Sequence, residues 1–443
     1  MEFKNAWKVS NVDEVFKYCE SYKEFLSEAK TERETVEYFL DHLKGNGDIK
    51  TYNFKGKSLV LHRKGKSDIR NGFRILAAHI DAPRIDIKPN PVYEDTDLAL
   101  LETHYYGGIK KYQWVTKPMA IRGLIVKKDG NSLKVNIGDV QGDPVFTFTD
   151  ILPHLARNVQ ATKNISEAIQ GEKLDLVFGH IPLKTEDEKI KEKVKTNILA
   201  LLKEKYNIEE SDFLSAELEI VPQGPALDVG VDRSMVGGYG QDDRVCAYTA
   251  VTALMDATHV EKDTLVILFD KEETGSDGNT GAQSLLLEYA ISTILREYGI
   301  TDYTSIREIL YKSEAISGDV TAGVDPNWKE VHELKNAAKL GYGIGISKYT
   351  GSGGKYSTND AHAEFVAKVI SIFESNGVAW QVAELGKVDE GGGGTVAKYL
   401  SKLGIDTIDA GTPLLSMHSP FEIASKVDIY MTYKGYKAFI EAK

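Results

Sequence analysis

Apolar positions recur with helical spacing through residues 11–45. Val12, Val15, Phe16, Tyr18, Phe25 and Leu26 are followed by Val36, Phe39, Leu40 and Leu43, and the glycines of KGNGD at 44–48 end the region. KSLVLHRKG and FRILAAHID then predict strands, the second a short apolar run suited to a buried position. After residue 240 the pattern alternates. VCAYTAVTALMDA predicts a helix, TLVILFD a strand, NTGAQSLLLEYAISTILREYG a helix and REILYKSEAIS a strand. DAHAEFVAKVISIFESN predicts a helix, TVAKYLSKLG and TIDAGTP a helix and a strand, and IASKVDIYMTYKGYKAFIEA closes on a helix. Such alternation predicts an α/β fold, with a mixed, largely parallel sheet flanked by helices.

One stretch breaks the alternation. TKPMAIRGLIVKKDGNSLKVNIGD predicts short strands around a turn at Asp129-Gly130-Asn131, and FLSAELEIVPQGPALDVGVD returns to strand patterning. Residues 186–205 predict an amphipathic helix with a charged, solvated face. Residues 93–235 therefore read as a β-rich domain inserted into an α/β domain made of 1–92 and 236–443. A length of 443 residues suits two domains.

Composition narrows the classes. A net charge of −12 argues against a nucleic-acid partner, which needs a basic patch to neutralise phosphates. With Cys19 and Cys246 as the only cysteines, a disulfide framework is not expected, and a thiolate zinc site of the finger type is excluded by count. MEFKNAWKVS lacks the apolar core of a signal peptide, and no stretch is long and apolar enough to span a bilayer. The expectation is a cytoplasmic protein without a membrane partner.

Candidate chemistry collects where predicted strands end or helices begin. In DKEETGS, Glu272 and Glu273 follow the strand TLVILFD, at the edge where open α/β sheets collect ligands. Adjacent carboxylates repel unless a cation or shared proton offsets the charge, although a solvated acidic turn looks the same in isolation. In AAHIDAPR, His79 and Asp81 are two residues apart in extended chain and share a face. A carboxylate so placed can orient a metal-binding imidazole. Asp242 and Asp243 precede an apolar helix, where one can cap while the other reaches a metal. Asp319 in AISGDVTAG and His418 in DAGTPLLSMHSP complete the set. Two histidines with several carboxylates suit zinc, manganese or cobalt rather than an all-oxygen magnesium or calcium site. Two such ions would clamp an attacking water and a carbonyl, leaving one glutamate over to move the proton.

In this order, HIDAPR, GQDDRV, DKEETGS, SGDV and SMHSP resemble the aspartyl aminopeptidase and aminopeptidase I family of co-catalytic zinc metallopeptidases, over nearly the whole chain. The resemblance implies a metallo-aminopeptidase of zinc-exopeptidase fold acting on peptides with a free N-terminus. It implies two divalent ions, Zn2+ foremost, with Mn2+ or Co2+ as alternatives. His79, Asp242 and Asp319 would hold one ion, and Asp242, Glu273 and His418 the other. Glu272 would be the general base, and Asp81 would orient His79. The family also implies a closed homo-oligomer, typically a tetrahedral dodecamer, with the inserted domain making dimer contacts. At the position where aspartyl-specific members carry a histidine supplied across subunits, this chain has Tyr112, with His104 upstream. Lys355 would meet an acidic side chain or remain a solvated loop lysine, and Gly393 and Gly394 would line the substrate pocket or form a packing turn. The competing readings are a related di-zinc exopeptidase or deacylase acting on another amide, and a non-catalytic assembly protein that keeps the fold.

Overall fold

A computed structural model describes residues 3–443 and divides the chain into two compact units. The first comprises the chain up to Ala82, Pro225–Met417 and Phe421–Lys443; the second comprises Pro83–Gly224 and His418–Pro420. The insert is therefore entered at Pro83 and left at Gly224, not at 93 and 235, and strand pairing explains the difference. Arg84–Asp95 pairs with Leu98–Tyr106 and Ala216–Pro222, inside the insert. Leu227–Val229 pairs with Met235–Gly238 in the first unit.

The first unit carries an eight-stranded sheet of β1 (Ile49–Phe54), β2 (Ser58–Arg63), β3 (Arg74–His79), β4 (Thr264–Phe269), β5 (Glu314–Ser317), β6 (Ile344–Ser347), β7 (Trp380–Val382) and β8 (Asp406–Gly411). The spatial order is β1-β2-β4-β3-β5-β8-β6-β7. The central strands β4, β3, β5 and β8 run parallel, while β2 is antiparallel to β4 and β6 to β8. The mixed, largely parallel sheet is thus the expected one. Parallel neighbours share an exit edge, so the segments after β3, β4, β5 and β8 emerge at the same side of the sheet.

Helices α1 (Val12–Glu28), α2 (Glu32–His42), α3 (Gln241–Asp256), α4 (Leu286–Glu297), α5 (Tyr303–Tyr311), α6 (Ala363–Ser375), α7 (Ala397–Ser401) and α8 (Lys426–Glu441) cover both faces. Alternate strand residues divide between two cores. Leu76, Ala78, Leu268, Ile316 and Ile408 pack with α1, α3, α6 and α8, whereas Ile75, Ala77, Ile267 and Ala315 pack with α4, α5 and α7. Helix α3 is buried nearly all round, as expected of a helix lying between sheet and outer helices.

Several expected elements are redrawn. REILYKSEAIS is not one strand: its first half belongs to α5 and only Glu314–Ser317 is extended. Asp302 caps α5 by accepting from Ser305 N, and Ile309 and Leu310 bury one face of it. The helix expected from residue 186 begins at Lys193, the one expected from 279 begins at Leu286, and TVAKYLSKLG is helical only over Ala397–Ser401. The second unit is a seven-stranded antiparallel sheet that contains the expected strands Met119–Val126 and Ser132–Ile137.

Candidate metal centre

The end of β3 fixes the first donor. His79 is buried, with Nδ1 3.0 Å from the Asp81 carbonyl oxygen and 3.3 Å from Asp81 Oδ1. Its Nε2 lies 3.2 Å from Asp242 Oδ1. Asp81 does more than orient the imidazole. Its carboxylate accepts from Glu272 N at 3.0 Å and from Glu273 N at 3.2 Å, tying β3 to the turn that follows β4. That turn is a single 3-10 element, Glu272–Thr274, flanked by Lys271 and Gly275 in the left-handed region. A non-glycine residue there is uncommon, and Ser276 N holds the turn closed on the Lys271 carbonyl.

Asp242 and Asp243 stand at the start of α3, but their own backbone is non-helical and a cis peptide bond joins them. Asp242 N donates to Glu422 Oε2 at 3.1 Å, and Asp243 Oδ2 accepts from His79 N at 3.3 Å. Asp243 Oδ1, fully buried, has no hydrogen-bond partner among the described residues. The adjacent Arg244 does not neutralise this acidity, because its guanidinium is spent on the carbonyls of Ala29, Tyr239 and Gly240. Asp319 follows β5. Its approach requires Gly318, where a Cβ would fall 2.4 Å from Tyr436 Oη, and Gly411, where it would fall 2.0 Å from the Asp319 carbonyl oxygen.

His79, Asp242 and Asp319 each offer a ligand atom, and all three atoms lie within 4.8 Å of one another. Burial, then the charge of Asp243, pushes the Asp319 carboxyl far above its usual range; Glu272 and Asp242 add to this and His79 opposes it. Asp243 is likewise raised, by burial first. Burial alone would lower His79, but its hydrogen bonds to the Asp242 and Asp81 carboxylates outweigh it and raise the imidazole. A crowd of buried carboxylates answered by one imidazole is short of positive charge, and a nitrogen-and-carboxylate donor set fits a zinc-type dication.

The remaining candidates fall in two places. His418 follows the strand Pro413–Leu415 in a left-handed conformation, groups with the second unit and sets Nδ1 2.9 Å from the Gly108 carbonyl oxygen. Lys355 is exposed, bonded to Asp360 Oδ2 at 2.8 Å and stacked over the Tyr349 ring. Gly393 and Gly394 do not open a helix directly, since α7 begins three residues later; Gly392–Gly393 instead pairs with Gly351–Ser352 in a two-stranded ribbon. Sequence reasoning missed Glu422, whose only signal was its place just beyond SMHSP. It also missed the contact from Asp81 to the Glu272 turn, which joins residues far apart in the chain.

An open α/β sheet that gathers such a donor set beside an acidic pair, at its carboxyl edge, defines a metal-dependent hydrolase. Comparison with known proteins makes this specific. Residues 25–440 match the family described as Aminopeptidase I zinc metalloprotease (M18). The chain is 50% identical to a probable M18 family aminopeptidase 1 of Clostridium acetobutylicum, over 99% of this chain and 98% of that protein. It superposes on the crystal structure of an M18 family aminopeptidase from Thermotoga maritima with a TM-score of 0.96 and 48% identity, covering 100% of both chains. The S. cerevisiae mApe1 dodecamer, 21% identical with a TM-score of 0.75 over 96% of this chain and 97% of that one, shares the fold. The chain belongs to the aminopeptidase I zinc metalloprotease family, and is a zinc-dependent aminopeptidase that hydrolyses peptides.

Proposed function

We propose that Glu272 is the general base of this aminopeptidase and that its donors divide between two ions, His79, Asp242 and Asp319 holding one and Asp242, Glu273 and His418 the other. The observation that carries the reading is the meeting of His79, Asp242 and Asp319 ligand atoms within 4.8 Å. Zinc held by these residues would supply Lewis acidity toward a peptide carbonyl and a water. Glu272 takes the proton from the attacking water at its carboxylate and returns it to the departing amine. Asp81 positions both His79 and the Glu272 backbone for these tasks. Lys355, Gly393 and Gly394 face the substrate side in this reading, because the ribbon pairing Gly351 with Gly393 brings their two segments together.

The working form is a tetrahedral dodecamer in the cytoplasm, with the inserted unit making dimer contacts. Support comes from the fold shared with the yeast dodecamer, from exposed Leu155 and Ile165 on the insert, and from two buried free thiols. Light scattering should give about twelve times the 49.1 kDa chain mass. A panel of peptides varying the first residue, with zinc, manganese or cobalt, tests the chemistry. Free N-termini should be cleaved and blocked ones spared; cleavage confined to blocked peptides would overturn the assignment.

A further inference from the structure

At the other end of β4, on the edge of the sheet away from His79, a cavity of about 600 Å3 opens between β2, the segment before β4 and the end of α4. The register pairs Thr264 with Arg63 at this end and Phe269 with His79 at the other. Six strand residues therefore separate it from the metal centre by roughly 20 Å.

In a chain of net charge −12, the lining is basic: Lys50, Arg63, Lys64 and Lys66 with His62 and His259, against Asp48 and Glu297. Glu297 is committed to Lys50. Arg63 Nη1 donates to the carbonyls of Leu254 at 2.8 Å and Ala257 at 2.7 Å, which fix the guanidinium without cancelling its charge, and Asp48 is 4.0 Å away. Lys64 lies over the Tyr298 ring, 5.4 Å from its centroid. Lys66 makes no side-chain hydrogen bond or ion pair among the described residues. The floor is His62, only 3% exposed, whose Nε2 is 2.7 Å from Asp263 Oδ1 while Nδ1 has no hydrogen-bond partner. Tyr298 Oη donates to the same Asp263 oxygen, so the floor is rigidly bonded. With Lys50 paired to Glu297 and Asp263 bonded to His62 and Tyr298, the held Arg63 and the exposed Lys64 and Lys66 leave the cavity an excess of positive charge, the counterpart of a small polyanion.

We propose that this cavity binds a compact multivalent anion of the phosphate type, such as a phosphorylated small molecule. Its volume suits a small ligand rather than a polypeptide. The binding is separate from peptide hydrolysis and does not rest on the ligand assignment of the metal centre.

Calorimetric titration of the metal-loaded, full-length enzyme with inorganic pyrophosphate tests it. Pyrophosphate also complexes zinc, so His79→Ala serves as the control. The expected result is 1:1 binding that weakens as salt rises, is unchanged in His79→Ala, and falls at least about 10-fold in Lys64→Glu/Lys66→Glu. Lys64→Gln/Lys66→Gln, which removes charge without reversing it, should fall between, and both double variants should keep wild-type peptidase activity. Equal binding in the charge-reversed variant, loss in His79→Ala, or no binding at millimolar pyrophosphate would each overturn the proposal.

Discussion

Two groups of carboxylates in the first unit have opposite surroundings. Asp228 sits among Lys23 at 2.7 Å, Lys426 at 2.8 Å and Arg233 at 2.6 Å. Burial would raise its carboxyl, but the hydrogen bonds from these three cations hold it well below the usual range. Against Asp243 and Asp319 the leading opposing charge among the described residues is His79, and both carboxyls are pushed up, by burial first. A carboxylate whose countercharges are built into the chain is part of the scaffold. One whose countercharge is missing from the chain is built to receive it from a metal ion. The same composition of acids thus means stability in one place and chemistry in the other.

The sharpest break is Glu272→Gln, which removes the proposed base while leaving the proposed donors. Turnover should drop on the order of 100-fold or more, with zinc per subunit unchanged by elemental analysis. Undiminished kcat would remove Glu272 from the mechanism. Next, Asp81→Asn weakens the tie shared by His79 and the Glu272 turn, and should cost about 10- to 100-fold in metal affinity or activity. A metal titration followed by activity checks this, and an unaltered titration curve would reduce Asp81 to packing.

On the scaffold side, Asp228→Ala leaves fully buried Lys426 and largely buried Lys23 to share the partly exposed Glu20, 3.6 Å and 3.0 Å away. Urea unfolding should show a loss of about 3–5 kcal/mol, with zinc content and activity of the folded fraction preserved. Loss of zinc instead would erase the distinction between the two groups. The smallest effect is in pH. Because the folded carboxyl of Asp228 is depressed, its stabilisation is present above the unfolded pKa of about 3.9 and disappears as pH falls through the folded value. The stability gap between wild type and Asp228→Asn should therefore be constant from pH 6 to 8 and shrink below about pH 4. A gap that widened in acid would contradict the sign.

Much of this was legible in the sequence because strand exits were marked by abrupt changes from apolar runs to polar residues. FRILAA ends in His79 and TLVILF leads to Glu272. The candidate metal donors that follow strands could be placed on the carboxyl edge by that alone. The strands β6 and β7 were not legible, since four and three residues are too few to show a period. The α5 helix was hidden by its closeness to β5, which made one apolar stretch of two elements. Boundaries of the insert depend on pairing between Arg84 and Glu219 neighbourhoods, a non-local fact. Asp228 illustrates the same limit: its partners lie at 23, 233 and 426, and no local pattern distinguishes it from Asp319.

Asp81 accepts from the Glu272 turn with its carboxylate while its own carbonyl faces His79 Nδ1. One residue is thus the common reference point for an imidazole at the end of one strand and the proposed proton carrier in the turn after another. A displacement of Asp81 would therefore disturb the imidazole and the Glu272 turn together.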